Sequence, residues 1–221
     1  MYFPKAPLEM GTPGKFSRTE VIHLTIAMII LTIAFSFPLS QSRLLFGTIS
    51  FFDIVQALPI ALLALFTAFF VHELSHKFMA QKYGLWSEFR MFPAGLILSL
   101  VLAICTGVVF AAPGAVMFRG DTRPFEMGKI ATAGSLANII IALITFPLYI
   151  FVFFETDYIG KIIGFVCAVN ALLATFNLIP LGALDGAKVI RWNGIVWAIL
   201  FILAILMTIM ILPRLPYFLN Y

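Results

Sequence analysis

Residues 54–82 read IVQALPIALLALFTAFFVHELSHKFMAQK. From Ile54 to Val71 the stretch is almost wholly apolar, and it then meets His72, Glu73, Ser75 and His76 before Lys77 and Lys82. About 20 apolar residues cross a bilayer, so the pattern predicts a span from about Ile54 to Ala80 whose helix continues towards Gly84. Two histidines four apart share one face of a helix. An ionisable side chain within a span costs roughly 2.5 kcal/mol or more and marks function by default. A helix that merely ended at the interface would carry Trp, Tyr, Lys or Arg there. It would not need two imidazoles around a glutamate.

The rest of the chain has the same solvent. Of 221 residues, 62% are hydrophobic and 11% charged, and the mean hydropathy is +1.06. A soluble domain is about 45–50% apolar and about 25% charged. The lipid bilayer is therefore the expected partner. The net charge of +4 fits basic loops on the cytoplasmic side of a membrane protein. Nothing resembles a nucleic-acid module, and no nucleic-acid partner is expected. Cys105 and Cys167 lie singly in apolar stretches and read as small core residues.

Further apolar stretches lie at 21–37, 128–154, 160–182 and 193–212. The first follows Lys15 and Arg18 but lacks a clear small-x-small cleavage site after Pro38, so it is expected to be a retained span. Residues 91–118 differ: Leu96 to Ile104 reads as helix, and Val108 to Phe118 as two short extended runs around a Pro113-Gly114 turn. The expected fold is an all-α polytopic membrane protein. It has about five full transmembrane helices plus a re-entrant partial helix and a β-hairpin. Residues 1–20 form a polar tail, 21–213 a single transmembrane domain, and 214–221 a short C-terminal tail.

His72-Glu73-x-x-His76 is the HExxH pattern, in which both imidazoles reach one zinc and the glutamate acts as general base on a zinc-bound water. A catalytic zinc takes three protein ligands and keeps an open position. The chain has three histidines. His23 sits at the head of the first span and reads as an interfacial residue. A carboxylate is then expected as third ligand. Asp185 stands out because it lies at the end of an apolar stretch, where Pro180, Gly182 and Gly186 break helical regularity. Irregular backbone at membrane depth is tolerated where it is buried or lines a cavity. The other reading of Asp185 is a cap on the following helix.

These pieces resemble the site-2 protease family of intramembrane zinc metalloproteases (peptidase family M50). The resemblance rests on His72-Glu73-x-x-His76, Gly134-Ser-Leu-Ala-Asn138, and Asn177-x-x-Pro180 followed by Leu184-Asp185-Gly186, in family order over residues 72–186. It implies a zinc metalloendopeptidase that cleaves membrane-spanning protein substrates within or near the bilayer, holding one zinc per chain. It implies His72, His76 and Asp185 as metal ligands, Glu73 as catalytic base, and Asn138 and Asn177 as substrate-binding residues. It also makes the stretch at Gly114–Met117 part of a membrane-embedded β structure beside the site. The sequence departs from the family at Ser135, where proline is common, at Gly182 and Ala183 before Leu-Asp-Gly, and at Ala187.

Two other readings use the same residues. An interfacial zinc protease would cut soluble or lipid-anchored peptides, often with a glutamate as third ligand. A metal transporter would need the ligands but has no evident use for Glu73 as a base. Topology adds one constraint. If His72, His76 and Asp185 share one zinc, the two clear spans between them cross twice, so residues 91–118 must enter the membrane without a net crossing. The active site then lies towards the cytoplasmic side, with Arg119, Arg123, Lys129, Lys188 and Arg191.

Overall fold

The computed structural model describes residues 15–41, 51–107, 109, 113–152 and 158–214. The tail before residue 15, the tail after 214, most of the first expected extended run at 108–112, and Glu155 and Asp157 lie outside the described residues. Helices are α1 (Arg18–Gln41), α2 (Phe51–Leu65), α3 (Val71–Lys82), α4 (Pro93–Thr106), α5 (Pro124–Phe151), α6 (Tyr158–Asn177), α7 (Asp185–Trp192) and α8 (Gly194–Ile211). A π-turn, Phe66–Phe70, joins α2 to α3, and the strands are β1 (Trp86–Met91) and β2 (Gly114–Arg119).

Among the described residues, five helical segments are long and apolar enough to cross a membrane: Arg18–Leu39, Phe51–Lys82, Pro124–Phe151, Tyr158–Asn177 and Gly194–Arg214. The chain is an all-α polytopic membrane protein with one small sheet. Helix α8 shows how such a bundle is solvated. Leu200, Ala204, Met207 and Ile211 are buried at helical spacing, while Ile199, Ile202, Leu206 and Ile209 are each more than half exposed. Both faces are apolar, so one meets protein and the other meets lipid. Lipid tails are as apolar as leucine, and helices in lipid therefore associate through close packing at small residues. Ala142, Cys167, Ala168, Ala171, Ala174 and Ala204 supply it between α5, α6 and α8. Cys167 is buried as expected, whereas Cys105 is exposed on α4.

The sheet joins segments far apart in the chain. Pro113-Gly114 leads into β2, which pairs antiparallel with the distant β1. The register sets Met91 opposite Gly114 and Trp86 opposite Arg119. Helix α4, with 14 residues, is shorter than the roughly 20 needed to span. It departs after Met91, and the chain is back opposite Met91 at Gly114. The re-entrant helix is thus present, and the excursion begins and ends at one level.

An ion pair ties this sheet to the bundle. Lys77 Nζ lies 2.5 Å from Glu20 Oε2 and 3.1 Å from the Ser87 carbonyl, while Glu20 Oε1 accepts the Phe89 N–H at 3.0 Å. Neither Glu20 nor Lys77 is exposed. His23 stands beside the same strand, with Nδ1 3.4 Å from the Met91 nitrogen. The outer edge of β1 is therefore closed by side chains of α1 and α3, which leaves β2 as the edge facing the bundle centre.

Candidate metal centre

The π-turn lies immediately before the HExxH helix, a position where single π-turns are frequent at functional sites. On α3 the His72 and His76 rings meet edge to face, with centroids 4.5 Å apart. Their Nε2 atoms are 2.9 Å apart. Asp185 Oδ2 lies 2.9 Å from His76 Nε2 and 3.5 Å from His72 Nε2. Ligand atoms bonded tetrahedrally to one zinc at about 2.0–2.1 Å sit about 3.3 Å from one another, so the observed triangle has the size that zinc requires. The donor set, two imidazoles and one carboxylate, is of the kind found at catalytic zinc. All three residues are buried. The cluster fits one Zn²⁺.

The far side of each ring fixes which nitrogen is free. His76 Nδ1 donates to the Ile130 carbonyl at 2.7 Å. A carbonyl only accepts, so the proton is on Nδ1 and the Nε2 lone pair faces the centre. His72 Nδ1 meets Asn138 Oδ1 at 2.7 Å to the same effect. The glycine of Gly134-Ser-Leu-Ala-Asn138 explains itself here: a Cβ on Gly134 would overlap both imidazole rings.

Asp185 is the first residue of α7. Helix α6 stops at Asn177, short of the expected 182, and a run of tight turns around Pro180 redirects the chain. A Cβ on Gly186 would strike the Leu178 and Ile179 carbonyls, so glycine lets α7 start against the end of α6. Burial alone would favour the neutral acid of Asp185, whereas positive charge at the centre favours the carboxylate. Lys188, one turn along α7, holds the other oxygen, with Nζ 3.2 Å from Oδ1. Sequence reasoning missed this lysine; its i,i+3 spacing from Asp185 was the available signal.

Glu73 is buried beside the ligands, and its Oε2 accepts the Val116 N–H of β2 at 3.1 Å. A cavity of about 310 Å³ joins these groups, lined among others by His72, Glu73, His76, Asp185, Lys188, Asn177 and residues 113–116. Asn177 therefore lies where a ligand could reach it. Asn138 does not line this cavity; it lies behind His72, fully buried. His23 is not part of the cluster.

A protein of Methanocaldococcus jannaschii named as a candidate zinc metalloprotease is 40% identical to this chain over 187 residues, covering 84% of this chain and 90% of the relative. A protein of Bacillus subtilis, also named as a candidate zinc metalloprotease, is 29% identical over 158 residues, covering 62% of this chain and 70% of the relative. No family model matches the chain, and no solved structure matches it at a significant level.

Proposed function

Because this chain belongs to the zinc metalloprotease family of these relatives, we propose that it is an intramembrane metalloendopeptidase of the site-2 type, which hydrolyses peptide bonds in the membrane-spanning segments of protein substrates. The observation that carries the reading is the convergence of His72 Nε2, His76 Nε2 and Asp185 Oδ2 among helices apolar enough to cross a bilayer, with Glu73 lining the same cavity.

Held by those three atoms, zinc supplies Lewis-acid chemistry, polarising a carbonyl and making water acidic near neutral pH. Glu73 is the proton carrier. Its carboxylate takes a proton from the attacking water as the new C–O bond forms, and returns it to the amide nitrogen as the C–N bond breaks. Lys188 keeps Asp185 turned towards the centre by engaging Oδ1. Asn177 can donate to the substrate backbone or to the developing oxyanion.

A helical substrate must unwind before its peptide bond can reach this cavity. Strand addition is one way to hold the unwound segment, and β2 has the edge for it. The Val116 N–H points away from β1, towards Glu73. The active-site end lies on the cytoplasmic side in this proposal, because Arg119, Arg123, Lys129, Lys188 and Arg191 gather there.

The test is purified protein in detergent, incubated with a panel of single-span substrates, with zinc or with a chelator. Cleavage within the span that disappears on chelation and returns with zinc is the expected result, together with loss of zinc in His72→Ala, His76→Ala and Asp185→Ala. Full zinc content in Asp185→Ala would remove Asp185 from the ligand set. Zinc flux into liposomes without peptidase activity would favour a transporter.

A further inference from the structure

Four side chains make one line of hydrogen bonds through α3, α5, α6 and the π-turn, half-buried at Thr67 and buried from Asn170 to His72. Thr67 Oγ1 donates to the Ala64 carbonyl at 2.9 Å, with the Leu63 carbonyl at 3.1 Å. Its only proton is thus committed, and it can only accept from elsewhere. Asn170 Nδ2 donates to the Val166 carbonyl at 2.8 Å and to Thr67 Oγ1 at 3.0 Å. A carbonyl cannot donate, so the Asn170 amide has one orientation, with Oδ1 towards Asn138. Asn138 Nδ2 donates to the Ala68 carbonyl, within the π-turn, at 2.9 Å and to Asn170 Oδ1 at 3.2 Å. Asn138 Oδ1 is left facing His72 Nδ1 at 2.7 Å.

Each member thus has a single arrangement, dictated by backbone carbonyls at the far end. Asn138 and Asn170 are both fully buried. Neither can turn its amide without burying a donor against a donor or leaving a polar group unpartnered, which is costly in an apolar interior. The two ligand histidines differ here. His76 rests on a backbone carbonyl directly, whereas His72 depends on a relay of side chains.

Resting on the zinc reading above, we infer that Asn170 is a positioning residue of the metal centre, holding the Asn138 amide so that His72 keeps Nδ1 protonated and Nε2 turned to the metal. Asn170 acts only through Asn138. The competing description, in which the two asparagines merely fasten α5 to α6, makes their contributions independent.

The experiment measures zinc affinity of the purified full-length protein by chelator competition, and the visible spectrum of the cobalt-substituted protein. Asn138→Ala and Asn170→Ala are each expected to weaken zinc about 10–100-fold, the usual cost of losing an outer-shell partner. Both are expected to shift the cobalt bands in the same direction. The double variant should bind within about twofold of Asn138→Ala alone, because coupled residues are not additive. Losses that multiply, or an Asn170→Ala protein that binds as the native one does, would overturn the inference. If Asn170→Ala fails to fold, the same cycle is run with Thr67→Val, which removes the acceptor beyond Asn170, and the same absence of added loss in the Asn138→Ala background is expected. A native protein that binds no zinc, or a His72→Ala variant that keeps it, would instead overturn the zinc reading.

Discussion

Glu73 Oε2 and the Val116 backbone nitrogen are joined at 3.1 Å, so the candidate base and the edge of β2 turned away from β1 are a single unit. Glu73 can take a proton from water only at an oxygen turned to the metal, while Val116 keeps the carboxyl group in place beside it. Glu73→Gln should preserve this contact, because a glutamine oxygen still accepts the Val116 N–H. Zinc content should be unchanged, and turnover should fall by about 10²–10⁴-fold, the range for loss of an acid–base group. Elemental analysis beside a cleavage assay checks both. Near-native turnover in the zinc-loaded variant would show that Glu73 is not the base.

Gly134 is where α5 comes closest to the histidines. A Cβ there would overlap both rings, so Gly134→Ala should abolish zinc binding with helix content retained. The neighbouring Ser135 is the internal comparison. Its Oγ is buried with no hydrogen-bond partner among the described residues, and an unsatisfied buried hydroxyl costs about 1–3 kcal/mol. Ser135→Ala should therefore keep zinc and raise the unfolding temperature in detergent. Zinc binding by Gly134→Ala equal to the native protein would show that α5 can yield there.

Much of this was legible because the informative residues conflict with their surroundings. His72, Glu73 and His76 stood out because polar groups in a span require a reason, and Asp185 because Pro180 and Gly182 broke the helix before it. The strand Trp86–Met91 was not legible. Glu88 and Arg90 interrupt its apolar pattern, and its partner lies beyond α4 in the chain. The Pro113-Gly114 signal marked the start of an extended run, but local chemistry could not show that β2 pairs with a strand on the far side of α4. Asn170 gave no signal, because a lone asparagine in an apolar span shows its partners only once α5 and α6 are packed.

Lys77 was read as a lysine at a helix end, yet it forms a buried pair with Glu20. Removing one member of such a pair leaves an uncompensated charge and costs about 3–5 kcal/mol. Glu20→Leu and Lys77→Met should each lower the unfolding temperature sharply and loosen β1, since Glu20 and Lys77 both hold its backbone. The double variant should lie above either single one, because apolar replacement of both charges removes the unpaired ion. A double variant no more stable than the worse single one would place the cost in the lost strand contacts instead.

Topology offers a test that needs no activity. Helix α4 leaves the sheet after Met91 and the chain re-joins it at Gly114, opposite Met91, so residues 92–113 make no net crossing. Helices α5 and α6 then cross twice and deliver Asp185 to the side of His72 and His76, as the distances require. Single cysteines at Lys82, Asp121 and Arg191, all exposed, should react with an impermeant reagent from the same side, and one at Tyr158 from the other. The background must lack Cys105, which is exposed on α4. In the proposed orientation, reagent on the cytoplasmic face reaches the first three. Labelling of Lys82 and Asp121 from opposite sides would make α4 a full crossing and separate Asp185 from the histidines. Labelling of all three from outside would keep the centre intact and reverse only its orientation.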